Sequence, residues 1–158
     1  MKYERLTKEQ FEELHQEFIN FLATQSITAE EWKDIKASKP EVAEQELDVF
    51  SDLIWEGVLS RVEYLENISS SQMHLFFLDD HQMRLIAVKV LNPSIDLTTK
   101  DGFAWFKKNF LTDQVEMMTA SKSYTEDKNK DRFELIKKGA VITKGELFNW
   151  FDQLINVD

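Results

Sequence analysis

Carboxylates recur every three or four residues along one stretch of this chain, a spacing that suits the binding of cations or of a basic surface. They are Glu41, Glu44, Asp48, Asp52 and Glu56. We call these five residues the acidic stripe. A helix that begins at Pro40 places them on one face, because residues three and four apart are neighbours on a helix surface. Like charges at this spacing destabilise a helix slightly, and a basic partner offsets that cost.

The acids are concentrated in the first part of the chain, which limits the classes of partner. The formal net charge is −10, and residues 1–69 carry 16 acids against 7 bases, whereas residues 70–158 carry 13 against 12. The phosphates of nucleic acids and anionic lipids repel an acidic protein. We therefore expect no direct contact with nucleic acid and no membrane association. The predicted partner is a protein with a basic surface.

A tryptophan beside the stripe strengthens this prediction. Helical phase puts Trp55 next to the carboxylates, and a tryptophan flanked by charges is typical of the anchors that protein interfaces use. The predicted partner-binding residues are Glu44, Asp48, Asp52, Trp55 and Glu56.

Other interpretations of the same residues stay open. Trp55 packs under residues 1–23 or under the second half of the chain if its helix is covered on both sides. The stripe is then a solvated face, or it pairs with basic residues of the second half: Lys107, Lys108, Lys128, Lys130, Arg132, Lys137 and Lys138. A carboxylate metal site and mimicry of nucleic-acid phosphates are further alternatives, and the balanced charge of the second half counts against mimicry.

A second group of residues offers a different chemistry. His74, Asp79, Asp80 and His81 cluster around a predicted turn, and imidazole with carboxylate can ligate a metal or exchange protons. The alternative function is therefore a metal-dependent or hydrolytic enzyme. The competing interpretation is ordinary turn chemistry, in which aspartate side chains hydrogen-bond to the backbone.

Sequence motifs for catalysis and cofactor binding are absent. The chain contains no Gly-x-Ser-x-Gly, no Gly-x-x-x-x-Gly-Lys, no Gly-x-Gly-x-x-Gly and no His-Glu-x-x-His. It also has no cysteine, which excludes thiolate catalysis and cysteine-ligated metals. We predict no catalytic residues, no cofactor and no resident metal. No secretory signal is visible and the apolar runs are too short to span a bilayer, so we expect a cytoplasmic location.

Capping signals and apolar periodicity predict helices throughout residues 1–69. Thr7 with Gln10 forms a capping box for a helix that runs to about Ala23. Thr28 with Glu31 opens a short helix, and Pro40 begins a long helix that we expect to end near Ile68.

Residues 70–158 are predicted to combine strands and helices. We expect a β-hairpin over 72–78 and 83–91, and a third strand over 115–122. Helices are predicted after Thr98, over 131–138 with Gly139 as its cap, and after Thr143. The expected fold is α+β, an N-terminal helical layer packed on a small, mainly antiparallel sheet with C-terminal helices. We predict a single domain over 1–158, with a helical subregion at 1–69 and an α+β subregion at 70–158.

Three runs of the chain carry a resemblance, namely residues 6–18, 48–59 and 136–147. With these runs the sequence resembles, over its whole length, a family of short acidic cytoplasmic proteins of Bacteroidota known only as a domain of unknown function. The resemblance implies no activity, cofactor or site residue. From the residues themselves, the predicted function is a non-enzymatic protein–protein interaction module, an adaptor or regulator that binds a basic surface of a larger cytoplasmic assembly.

Overall fold

The computed structural model describes residues 1–156, and in this range the chain forms seven helices and five strands. It divides into two compact units. Residues 1–60 form the first, which we call the helical unit. The second, which we call the sheet unit, begins at Arg61. Helices precede and follow an antiparallel sheet along the chain, so the predicted α+β class is confirmed.

Four helices occupy the helical unit: α1 (Lys8–Glu13), α2 (His15–Thr24), α3 (Ala29–Ser38) and α4 (Pro40–Arg61). Thr7 and Gln10 form the predicted capping box, and Thr28 accepts a hydrogen bond from the backbone N–H of Glu31. Both predicted caps are therefore confirmed. The helix expected from Thr7 to Ala23 is instead interrupted at Leu14, whose backbone leaves the helical conformation.

Aromatic side chains form the core of the helical unit. Phe50 of α4 is almost fully buried, and its ring lies 5.0 Å from the ring of Phe18 and 5.4 Å from that of Phe21. Leu6 and Leu22 complete the buried cluster. Burying one such side chain contributes about 1.5–3 kcal/mol relative to its exposed state. The core therefore fixes which face of α4 points inward.

Five strands and three helices occupy the sheet unit: β1 (Tyr64–Ile68), β2 (Gln72–Leu78), β3 (Gln82–Val90), α5 (Lys100–Asn109), β4 (Val115–Ser123), α6 (Lys128–Lys137), β5 (Val141–Thr143) and α7 (Glu146–Ile155). The strand order is β4-β3-β2-β1-β5, and every neighbouring pair is antiparallel. The predicted hairpin and the predicted third strand are both present.

Each face of the sheet packs against helices. On one face, strand residues such as Leu75 and Ile86 pack with Phe106 of α5 and Phe151 of α7. On the other face, residues near Leu65 pack against α6. In β1, β2 and β3 the alternation of side chains between faces produces this two-sided burial.

The expected end of α4 is wrong. The helix ends at Arg61, and Tyr64–Ile68 forms β1 instead of a further helical turn. The residues of β1 suit either structure, because aromatic and β-branched side chains favour strands while their apolar spacing also fits a helix. Pairing decides the outcome, since Tyr64 lies opposite Phe77 and Ile68 opposite Met73 in β2.

Two predicted caps are also wrong. Thr99, not Thr98, caps α5 by accepting a hydrogen bond from the N–H of Gly102. Thr143 belongs to β5, a strand too short to leave a sequence signal, and Gly145 is the N-cap of α7, with a φ of 80°. A side chain at Gly145 would clash with the ring of Tyr64, so glycine is required there.

Within residues 1–156, no helix has the length and apolar composition needed to cross a membrane.

Candidate functional site

The acidic stripe lies on α4 and is covered by residues of its own unit. Residues 2–5, which we call the cover segment, lie across Glu44, Asp48, Asp52 and Glu56. A helix advances about 5.4 Å per turn, so these four carboxylates are spread over about three turns. The basic side chains of Lys2 and Arg5 lie at the two ends of the cover segment, and the backbone between them bends at Tyr3.

Arg5 binds Glu44 and Asp48, the second and third carboxylates of the stripe. Its guanidinium donates to the Asp48 carboxylate, with Nε at 2.7 Å and Nη2 at 2.6 Å from Oδ1, and it also donates to the Glu44 carboxylate. Two carboxylates around one guanidinium stabilise its charged form, so the pKa of Arg5 is raised, first by Asp48 and then by Glu44. These contacts relieve the repulsion between the two acids.

Lys2 and Tyr3 hold the other end of the stripe. The backbone N–H groups of Lys2 and Tyr3 donate to the two oxygens of Asp52, at 2.7 and 2.9 Å. The Tyr3 hydroxyl donates to Glu56, and the Lys2 ammonium lies 3.5 Å from the same carboxylate. Burial and the hydrogen bond to Glu56 raise the pKa of Tyr3 to about 12. The stripe therefore recognises backbone amides as well as positive side chains.

Trp55 lies beneath the cover segment. Its indole N–H donates to the backbone carbonyl of Glu4 at 3.0 Å, and its ring, which is half-buried, packs against the aromatic cluster of the helical unit. This arrangement matches the alternative in which Trp55 packs under residues 1–23. Trp55 therefore contacts the backbone of the cover segment through a polar atom and the core through its ring.

Leu6 and Ser51 anchor the segment at its end. Leu6 is buried in the aromatic cluster, and its N–H donates to the hydroxyl of the fully buried Ser51 at 3.1 Å. The Ser51 hydroxyl in turn donates to the carbonyl of Leu47 at 2.7 Å. The chain is thus fixed at Leu6 by apolar burial, whereas residues 2–5 are held mainly by polar contacts at the surface.

The basic residues that meet the stripe in the helical unit, Lys2 and Arg5, were not predicted from the sequence. Nothing in the sequence indicates that they lie on α4. Ser51 was missed as well, because a serine inside an acidic helix leaves no signal of burial. The five predicted partner-binding residues do lie together on one surface, and binding of a partner there stays a prediction.

The histidine and aspartate residues of the enzyme alternative lie at two separate places. His74 lies within β2, opposite Asn67 and Ala87, whereas Asp79 and His81 belong to the turn between β2 and β3. Four residues of strand separate His74 from the turn, which corresponds to about 13 Å.

The turn itself is occupied by structural contacts. Asp79 accepts from the N–H of His81 at 2.8 Å, and the carbonyl of Asp79 accepts from the hydroxyl of Tyr124 at 2.7 Å. Lys128 lies 3.9 Å from the carboxylate of Asp80. Across residues 1–156, no group of three or more histidine and acidic side chains is arranged to hold a metal ion.

Comparison with known proteins supplies a family but no activity. The family described as "Family of unknown function (DUF6495)" matches residues 1–156. No curated protein matches the chain, and no solved structure does. The predicted resemblance to a family of unknown function is confirmed over this range.

Proposed function

Because the chain belongs to DUF6495, a family of unknown function, its role must be inferred from its own residues, and we propose that it is a non-enzymatic interaction module. In this proposal it acts as an adaptor or regulator of a larger cytoplasmic assembly. Its acidic stripe binds a basic segment on the surface of a partner protein, with Glu44, Asp48, Asp52 and Glu56 as the charged contacts. Trp55 is the anchor beneath that segment.

The observation that carries the proposal is the occupation of the stripe by the cover segment. The four carboxylates meet two basic side chains and two backbone N–H groups within one unit. A basic peptide from another protein can make the same set of contacts, since none of them depends on a side chain unique to this chain. The cover segment thus supplies a pattern for the partner: a lysine and an arginine three residues apart, with two consecutive backbone N–H groups directed at one carboxylate.

The ion pairs of the cover segment contribute little free energy. Exposed ion pairs contribute about 0–1 kcal/mol each, and the side chains of Arg5 and Glu56 are 39% and 44% exposed. Leu6 stays buried when the segment leaves, so the aromatic core does not have to open. A partner with comparable contacts and some additional apolar burial can therefore displace the segment.

Exposed apolar residues on α4 provide such additional burial. Val49 and Leu53 are each 56% exposed, and Leu53 follows Asp52 directly. Val42, which precedes Val49 by two turns of the helix, is also exposed. A partner that covers the stripe can extend over this apolar row, and such a combination of apolar and charged contacts is common in helix-mediated recognition.

Affinity purification from the native lysate with matched baits tests the proposal. The wild type should capture a stoichiometric partner at low salt, and Asp48→Lys/Asp52→Lys should capture none. Lys2→Ala/Arg5→Ala should capture several-fold more, because the cover segment competes less well. Glu12→Lys/Glu13→Lys changes the net charge by the same amount on exposed positions of α1, so it serves as the control and should behave as the wild type.

Two results contradict different parts of the proposal. Equal capture by the wild type and by Asp48→Lys/Asp52→Lys overturns the stripe as a binding surface. Reduced capture by Lys2→Ala/Arg5→Ala overturns displacement and shows instead that the cover segment belongs to the interface. Circular dichroism of each bait establishes that the variants are folded.

A further inference from the structure

The outer edge of β4 is open and unusually regular. Nine consecutive residues pair with β3, from Val115 opposite Val90 to Ser123 opposite Gln82, without a bulge. Within residues 1–156, no strand pairs with the other edge of β4. Natural edge strands are usually shortened, bulged, interrupted by proline or lined with charges, because an open edge pairs with other strands. The strand at the opposite edge, β5, has only three residues, whereas β4 is nine residues long, has no bulge and no proline, and carries only two charged residues, one near each end.

Beyond Val115, whose N–H donates to the carbonyl of Thr112, the outward backbone groups of this edge belong to the odd-numbered residues. The N–H of Leu91 donates to the carbonyl of Gln114 at 2.8 Å, so position 114 is bonded toward β3. The direction of bonding alternates along an antiparallel strand. The even-numbered residues of β4 therefore bond to β3, and Met117, Thr119 and Ser121 direct their N–H and carbonyl groups outward.

The charges of β4 are placed symmetrically about its centre. Glu116 and Lys122 are its charged residues, and each lies three positions from Thr119. If a second β4 pairs antiparallel with Thr119 opposite Thr119, Glu116 of each copy lies opposite Lys122 of the other. The same register pairs Met117 with Ser121 and uses the full length of the strand. Shifting the register by one position in either direction loses the charge pairing.

The packing of side chains in this register is also self-consistent. Even-numbered residues form the non-hydrogen-bonded pairs, in which opposing side chains approach most closely. Glu116 and Lys122 fall in such pairs, and so do Met118 and Ala120, a large side chain opposite a small one. Met118 is 58% exposed in the single chain. The pairing therefore covers an exposed methionine and joins opposite charges.

We infer that β4 is a homodimerisation edge, at which a second copy of this chain pairs antiparallel about a two-fold axis through Thr119. The two sheets then form one continuous ten-stranded sheet, with an isologous interface of the kind that two-fold dimers use. This inference is independent of the acidic stripe, which lies in the other unit.

Cysteine cross-linking tests the register directly, because the chain has no cysteine of its own. Thr119→Cys should form a covalent dimer under mild oxidation, since opposing Cα atoms in a hydrogen-bonded antiparallel pair lie about 5.5 Å apart, within the range of a disulfide. Met117→Cys alone should not, because its copies lie far apart along the strand. A mixture of Met117→Cys and Ser121→Cys should cross-link as a heterodimer.

Charge reversal tests the symmetry of the pairing in solution. Glu116→Lys should weaken dimerisation at least tenfold in sedimentation velocity, because it places lysine opposite lysine. The double variant Glu116→Lys/Lys122→Glu should restore the dimer, since the charges are then exchanged but still opposite. Both changes are at exposed positions and leave the hydrogen bonds to β3 intact.

Several outcomes overturn the inference. The inference fails if the wild type stays monomeric from micromolar to millimolar concentration. It fails equally if the edge pairs with a strand of a different protein and not with a second copy of this chain. A dimer that is unaffected by Glu116→Lys, or that cross-links as readily through Met117→Cys alone as through Thr119→Cys, also overturns the proposed register.

Discussion

Two arginines show how differently the two units use the same side chain. Arg5 of the helical unit is exposed and donates to the carboxylates of Asp48 and Glu44. Arg132 of the sheet unit is only 3% exposed, and its guanidinium donates to the Tyr124 hydroxyl at 3.2 Å and to the Leu78 carbonyl at 3.4 Å. The first contact is between charges in water, and the second is between a charge and neutral acceptors away from water.

This difference separates contacts that can be exchanged from contacts that hold the fold. Water and salt weaken an exposed ion pair, so its loss costs little free energy. A buried acceptor that loses its donor pays the full cost of desolvation. The cover segment can therefore leave the stripe at a small cost in free energy. The contacts of Arg132 are costly to break and hold the turn in place.

The largest expected effects come from the apolar cores, where the two units should behave alike. Phe106→Ala in the sheet unit should lower the free energy of unfolding by about 3–5 kcal/mol, because the ring is fully buried and leaves a cavity. Phe50→Ala in the helical unit should cost a similar amount. Urea denaturation followed by circular dichroism measures both. A loss below about 1 kcal/mol for either variant would show that its cluster is not closely packed.

The two arginines themselves should give a smaller and unequal pair of effects. Arg132→Met should cost about 1–3 kcal/mol, because it keeps an apolar stem but leaves buried acceptors without their donor. Arg5→Ala should cost less than about 1 kcal/mol, and the cost should shrink further at high salt. Denaturation curves at two ionic strengths separate these cases. Equal costs for both variants would remove the distinction between the two contacts.

The smallest effect is a pH dependence in the sheet unit. Burial raises the pKa of Glu66, nearby Glu146 raises it further, and a hydrogen bond from Thr143 acts in the opposite direction. A carboxyl group with a raised pKa in the folded state favours folding when it is protonated. The stabilising contribution of protonated Glu66 to the free energy of unfolding is complete below the pKa of the unfolded state, about 4.3. This contribution is lost as the pH rises through the folded-state pKa.

Glu66→Gln should therefore raise the melting temperature near neutral pH and change it little at about pH 4. The exposed Glu63 lies three residues away, and Glu63→Gln serves as the control that should have no such pH dependence. Thermal melts at the two pH values test the expectation. An equal shift at both values would show that the charge of Glu66 is not the cause.

Local signals predicted most of the elements because each depends on a few neighbouring residues. The capping residues Thr7 and Thr28 were identified correctly, since a cap is formed within four residues. The hairpin of β2 and β3 was identified from the pattern of apolar residues on either side of Asp79. β1 and β5 were missed because each is short and its conformation depends on pairing with strands distant in sequence.

The candidate site was predicted only in part, for the same reason. The helical repeat placed Glu44, Asp48, Asp52 and Glu56 on one face, and they do lie there. The cover segment could not be predicted, because its contacts join residues separated by 39 to 53 positions. Helical periodicity describes a single helix. It carries no information about which other segment of the chain lies across that helix.

The sequence by itself determined the α+β class, most of the helices and strands, and the alignment of the acidic stripe, since these follow from periodicity, charge and local backbone preference. Only the tertiary structure decided that residues 2–5 cover the stripe, that Trp55 lies beneath them and that β4 ends the sheet with an open edge. These features depend on free energies of long-range contacts that compete with water and with other partners, and no local pattern encodes the outcome of that competition.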